Sequence, residues 1–133
     1  MNDINGSRLS RRLTQLGQIG FMPGEGTTRL PYTPAYDEGR TYVQRCMEQA
    51  GLQTSIDPVG NLVGELPGKG KTICIGSHID TVPGGGIYDG PTAYWRGSNV
   101  CSAFGKWAIK STSHSGGCLH RGGGQCHWRY LWQ

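Results

Sequence analysis

Apolar residues in the first half of the chain recur with the period of two amphipathic helices. The first helix is predicted where leucine recurs at i, i+4 and i+7, at Leu9, Leu13 and Leu16. The second is predicted to begin at Thr33-Pro34, a favourable N-cap and first-turn pair, and to end at Gly51. Its apolar face would consist of Tyr42, Val43, Cys46, Met47 and Ala50.

Short strands are predicted after the second helix. Residues 52–56 alternate between apolar and polar, residues 57–61 are rich in turn formers, and residues 62–66 would form the returning strand. Residues 72–76 form a short apolar run of the kind found in a buried strand. This order of elements predicts an α/β fold, with a functional site at the carboxyl end of a strand.

The apolar run leads directly into residues that can bind a metal. His78 and Asp80 are two positions apart, so they share a face of an extended strand, and Asp89 follows a glycine-rich loop. One of these two side chains can bind a divalent ion. The other, directly or after the strand bends, then takes part in the hydrogen bond of the remaining N–H of the imidazole. Asp89 can return to the same point and bridge two ions. The His-x-Asp pattern alone also fits a simple hydrogen-bonded pair, and both interpretations stay open here.

Composition changes sharply near residue 91. Every acidic residue lies at or before Asp89, whereas all four tryptophans lie after it. The segment beyond has five cations and no anion, although globular segments usually carry about a quarter of charged residues of both signs. We therefore predict a domain over residues 1–91 and a divergent tail over residues 92–133.

Charge and cysteine content narrow the expected partners and location. The net charge of +4 is scattered rather than gathered in a stripe, which argues against nucleic-acid binding. No segment approaches the ~20 apolar residues of a membrane span. The five cysteines form no CxxC pair and no apolar signal segment begins the chain, so we expect a cytoplasmic protein with free thiols.

Several sequence blocks between residues 4 and 91 match one family. The chain resembles the metal-dependent amidohydrolases of the allantoate amidohydrolase and N-carbamoyl-L-amino acid hydrolase family, which are relatives of aminoacylase-type metallopeptidases. The resemblance rests on the blocks INGxRL at 4–9, GTTRL at 26–30, MEQAGL at 47–52, DPVGNLVG at 57–64 and GSHIDTVPGGGIYDGP at 76–91. The YTP at 32–34 is closer to the allantoate branch.

The resemblance implies a role for each of the three site residues. It makes His78 a ligand of the first metal, Asp89 the carboxylate that bridges two metals, and Asp80 the catalytic-site residue that orients His78. The implied cofactor is a pair of divalent ions, with zinc, manganese and cobalt as the candidates, since all three suit histidine and carboxylate ligands. The implied partners are a small-molecule substrate and, in intact relatives, a second subunit in a homodimer.

The same resemblance implies hydrolysis of a linear amide or ureido C–N bond, as in allantoate or an N-carbamoyl amino acid. The family would continue with a Glu-Glu pair that supplies the general base and a further ligand, then two more histidines and a lid domain. No acidic residue follows Asp89. We therefore expect a truncated and inactive product. The alternatives are a non-catalytic fragment that binds a full-length homologue through its unfinished sheet, or a pseudogene product without function.

A shifted reading frame offers one explanation of the tail. If the gene is read one base out of frame, the codons of Tyr94-Trp95 yield leucine. In the other shifted frame, a Glu-Glu-Glu-Gly segment fits beneath residues 121–125. Two separate insertions or deletions would be required. A genuine small module is the alternative: either a metal knuckle or a stacking surface for single-stranded nucleic acid. The knuckle would use Cys118, His120, Cys126 and His127, and the stacking surface Trp107, Trp128, Arg129 and Trp132.

Overall fold

Two helices, six short strands and a helical turn at residues 91–95 are seen in the part of the chain that the structure describes. The computed structural model describes residues 5–65, 73–74, 76–95 and 109–110. Helix α1 spans Gly6–Gln18 and helix α2 spans Pro34–Gln49. The strands are β1 (Phe21–Met22), β2 (Gly26–Thr27), β3 (Gln53–Ile56), β4 (Leu62–Glu65), β5 (Ile73–Cys74) and β6 (Ile109–Lys110).

Both helices begin at the kind of residue that caps a helix. The Asn5 side chain accepts a hydrogen bond from the backbone N–H of Arg8 at 2.8 Å. At α2 the predicted cap is confirmed: Thr33 Oγ1 accepts from the backbone N–H of Tyr36 at 3.3 Å, and Pro34 occupies the first turn. The predicted end is confirmed as well, because Gly51 follows the helix with φ +85°, a conformation that glycine adopts at little cost.

The predicted hairpin after α2 is confirmed. Strands β3 and β4 are antiparallel, with Gln53 opposite Glu65 and Ile56 opposite Leu62. The carboxylate of Asp57 holds the turn, because its Oδ1 accepts from the backbone N–H of Asn61 at 2.8 Å. Strands β1 and β2 form a second, two-residue antiparallel ladder.

Strands β5 and β6 pair in parallel, with Ile73 opposite Ile109 and Cys74 opposite Lys110. A parallel pair requires a long crossover connection, which is the hallmark of α/β organisation. Helices combined with antiparallel hairpins and a parallel strand pair confirm the predicted α/β fold class. Strand β6 lies beyond residue 91, within the segment that the composition assigned to a divergent tail, and the boundary itself stays a prediction.

The core lies between the two helices, β4 and the segments that flank the predicted site. It includes the buried side chains of Leu13, Leu16, Tyr36, Val43, Met47, Leu52, Leu62, Ile79, Tyr94 and Trp95. Residues 91–95 form a helical turn, and Trp95 contacts Tyr94 edge to face at 4.6 Å between ring centroids. Arg12 lies over the Trp95 ring, 5.1 Å from its centroid. Tyr94 and Trp95 thus complete the core of the segment that precedes them.

Neither helix described above is long and apolar enough to cross a membrane.

Candidate metal centre

The extended segment after β5 carries the first two predicted site residues side by side. His78 and Asp80 are both partly buried, each with 29% of its side chain exposed. The imidazole Nδ1 of His78 lies 3.1 Å from Asp80 Oδ1 and 3.2 Å from the backbone oxygen of Asp80. Because both neighbours are acceptors, Nδ1 carries the proton when the imidazole is neutral. The Nε2 lone pair is then free to bind a metal.

The third predicted residue reaches the other side of the same ring. Asp89 Oδ2 lies 3.9 Å from His78 Nε2, and the Asp89 side chain is 94% exposed. That separation is too long for a hydrogen bond. A cation held tetrahedrally by the two atoms would set them about 3.4 Å apart, given bonds of about 2.0–2.2 Å. A small rotation of the exposed Asp89 side chain therefore suffices, so the donor pair fits a divalent ion.

A glycine closes the loop that returns Asp89 to His78. Gly90 has φ +76°, and a Cβ there would lie 2.7 Å from Cε1 and 2.8 Å from Nδ1 of the His78 ring. The Ser77 hydroxyl donates to the backbone oxygen of Gly90 at 2.7 Å. Sequence reasoning missed both residues. The Asp-Gly pair after the loop was the available signal, but only the fold brings Gly90 against the imidazole.

Strand β2 and the residue after it form hydrogen bonds with the glycine-rich loop that precedes Asp89. Thr27 and Gly85 exchange backbone hydrogen bonds, with N–O distances of 3.0 Å and 2.8 Å. The Thr81 hydroxyl donates to the backbone oxygen of Thr27 at 3.0 Å, and the backbone N–H of Gly84 donates to Thr28 Oγ1 at 2.9 Å. These contacts connect the segment that carries Asp80 with the glycine-rich loop that leads to Asp89.

A buried arginine lies beneath the His78–Asp80 pair. Arg29 is fully buried, and its guanidinium donates to the backbone oxygens of Ile79, Leu16 and Ile19. Burial lowers the pKa of Arg29, and attraction to Asp80 opposes that fall. The sequence block GTTRL carried the family resemblance but did not indicate where this side chain would lie.

In the part of the chain that the structure describes, no three histidine, cysteine or acidic side chains converge on a point where a metal would bind. Asp80 lies at Nδ1 of the imidazole and Asp89 faces Nε2. The residues of the alternative metal knuckle and stacking surface all lie outside the described residues.

Known proteins resemble this chain in sequence over most of its length. No family model matches it. The N-carbamoyl-L-amino acid amidohydrolase of Geobacillus stearothermophilus is 38% identical over 100 residues, covering 73% of this chain and 24% of the relative. The allantoate amidohydrolase of Bacillus subtilis is 44% identical over 78 residues, covering 56% of this chain and 19% of the relative.

A solved structure gives the same answer from the fold. The hydantoinase/carbamoylase family amidase of Burkholderia ambifaria superimposes with a TM-score of 0.77 at 32% identity, covering 84% of this chain and 29% of that one. The structural match therefore extends further than residues 4–91 alone.

These relatives share one class, that of amidohydrolases. Over the part that matches, the chain is similar to the N-carbamoyl-L-amino acid and allantoate amidohydrolases, which confirms the resemblance found in the sequence. The chain spans about a quarter of the length of the curated relatives that it matches.

Proposed function

We propose that this chain supplies part of the divalent metal centre of an amidohydrolase that cleaves linear amide or ureido C–N bonds. The observation that carries the proposal is the His78 imidazole held between two carboxylates, with Asp80 at Nδ1 and Asp89 facing Nε2. The substrate class is that of allantoate or an N-carbamoyl-L-amino acid, taken from the relatives. Zinc, manganese and cobalt all suit these ligands, and the family resemblance favours two ions.

Each of the three residues has a distinct task. Asp80 accepts a hydrogen bond from the Nδ1–H of His78. This hydrogen bond fixes the tautomer, orients the ring and raises its basicity as a metal ligand. His78 offers Nε2 and Asp89 offers a carboxylate oxygen from the opposite side. A bound divalent ion polarises a carbonyl and brings the pKa of its water towards neutrality. Asp80 would thus act on the metal through His78, while His78 and Asp89 would hold it.

We further propose that the 133 residues alone do not turn over substrate. The site offers two donors to a metal, and the general base expected from the family has no acidic candidate after Asp89. Hydrolysis needs such a base to take the proton from water and pass it to the leaving nitrogen. Metal-dependent turnover of allantoate by this chain would contradict this part of the proposal. Cytoplasmic location and dimerisation through a lid domain remain expectations drawn from the sequence and the family.

Cobalt titration of the full chain tests the metal site directly. We expect Co²⁺ to bind wild-type protein, by calorimetry and by visible absorption, and to bind His78→Ala and Asp89→Asn much more weakly. Loss of a direct ligand should exceed the roughly 10–100-fold effect of removing an outer partner. Asp37→Asn is the matched control, because Asp37 is an exposed aspartate that pairs with Arg40 on α2. Equal affinities for wild type and His78→Ala would contradict the proposal.

A further inference from the structure

Arg29 is a charged side chain that the proposed chemistry does not use, and it is completely buried. It follows β2 and lies under the segment that carries His78 and Asp80. Burying a guanidinium is costly unless its donors are satisfied. Its Nε donates to the backbone oxygen of Ile79 at 2.6 Å, and its Nη1 donates to the backbone oxygens of Leu16 and Ile19 at 2.8 Å and 2.9 Å.

The backbone of Arg29 holds the same segment two residues further on, at Thr81. Its N–H donates to Thr81 Oγ1 at 2.8 Å, and its carbonyl accepts from the backbone N–H of Thr81 at 3.1 Å. Arg29 therefore fixes both neighbours of Asp80, Ile79 on one side and Thr81 on the other. Asp80 in turn meets Nδ1 of His78 at 3.1 Å. Arg29 thus connects the end of α1 with the segment around Asp80, whose carboxylate contacts the imidazole of His78.

Charge adds to this geometry. The positive guanidinium and Asp80 attract each other, and Nη2 of Arg29 is buried without a hydrogen-bond partner among the described residues. This attraction acts on the side chain that contacts Nδ1 of His78.

From these contacts we infer that Arg29 is a positioning residue of the metal centre, acting through Asp80 on the tautomer and orientation of His78. The inference rests on the proposed function for its metal, but the tautomer of His78 can be read in the metal-free chain. Helix α2 limits the space on the far side of Arg29, since a Cβ at Gly39 would lie 2.7 Å from Arg29 Cδ. Gly39→Ala should therefore displace the arginine side chain without removing any polar group from the protein.

A double-mutant cycle on Co²⁺ affinity tests the route through Asp80. We expect Arg29→Lys and Asp80→Asn each to weaken binding by about tenfold, the lower end of outer-partner effects, because lysine cannot reproduce the forked contacts of arginine. Together they should weaken binding no more than the stronger single change, since both act on one path. Arg40→Lys on the exposed face of α2 is the control. Additive losses would overturn the inference.

Nitrogen-15 spectra of the His78 imidazole in metal-free protein provide the second measurement. We expect the Nδ1–H tautomer in wild type and Arg40→Lys, and a mixture of tautomers in Arg29→Lys and Gly39→Ala. A tautomer that responds in this way in a chain that binds no Co²⁺ would support the positioning role and contradict the metal site. A tautomer unchanged in folded variants would contradict the positioning role alone.

Circular dichroism of each variant separates positioning from folding. If Arg29→Lys and Gly39→Ala both unfold while Asp80→Asn folds, Arg29 belongs to the scaffold only and the inference is wrong. If at least one of the two variants folds, its Co²⁺ affinity and the tautomer of its His78 decide whether Arg29 is a positioning residue.

Discussion

The helical scaffold and the candidate metal site differ in how completely the chain builds them. In the scaffold, Leu16 and Val43 are almost fully buried, both helices are capped, and a polar turn closes the β3–β4 hairpin. At the site, Asp89 is 94% exposed, and His78 is the one side chain that faces it among the described residues. The helix caps and the turn of this scaffold are completed by neighbours in sequence. A metal centre instead needs donors from several separate segments.

Polar groups show the same difference. On the scaffold, the Glu48 carboxylate accepts hydrogen bonds from Thr54 at 2.7 Å and Gln44 at 3.0 Å, which connects α2 with β3 and lowers the pKa of Glu48. On the neighbouring face, burial raises the pKa of Tyr42 to about 12, and its hydroxyl donates to Gln15. These partners are all present. Asp89 at the site makes no comparable contact among the described residues beyond its approach to His78.

Removing Trp95 should have the largest effect, because it tests whether the scaffold depends on residues past position 91. Trp95 is 1% exposed and packs against Tyr94 and Tyr42. Trp95→Ala should lower the free energy of unfolding by about 3–5 kcal/mol, measured by urea denaturation. Val59→Ala, at a side chain 68% exposed, should change it by less than about 0.5 kcal/mol. Equal midpoints for the two variants would place Trp95 outside the stable core.

Replacing Gly90 should damage the site more than the scaffold. An alanine there would be strained at φ +76° and would press on the His78 ring, at a cost of about 1–3 kcal/mol. We expect Gly90→Ala to weaken Co²⁺ binding by at least about tenfold, as for an outer partner of the metal. Gly86→Ala is the matched control in the same loop, because a Cβ at Gly86 meets nothing within 4 Å. Identical Co²⁺ affinities in calorimetry would show that the close approach at Gly90 is unimportant.

The smallest effect should come from the hydrogen bond between Thr54 and Glu48. The pKa of Glu48 is lower in the folded state, so its contribution to stability is present above the pKa of the unfolded state and is lost as the pH falls. Thr54→Ala should therefore show a smaller gap between its urea unfolding midpoints at pH 6 and pH 3 than wild type shows. Glu48 is exposed, so the change should be slight.

Ser55→Ala, at an exposed neighbour on the same strand, should leave that gap as it is in wild type. A wild-type gap that persists in Thr54→Ala would mean that other carboxylates account for the acid sensitivity.

Local sequence signals predicted most of the scaffold. Thr33-Pro34 and Gly51 marked the ends of α2 because caps depend on neighbouring residues. The turn at residues 57–61 was predictable for the same reason. The composition boundary near residue 91 gave no hint that Trp95 lies in the core, because burial depends on elements distant in sequence.

For the site, the sequence alone predicted His78, Asp80 and Asp89 as candidate residues and indicated the resemblance to the amidohydrolases. The contact between His78 and Asp80 follows from a spacing of two residues, which any extended segment enforces. Only the tertiary structure decided that Gly90 lies against the imidazole and that Arg29, 51 positions before Asp80, lies under the same segment in a contact that no local pattern encodes. Side chains that support a site from a distance are selected by packing, and packing is a property of the folded chain.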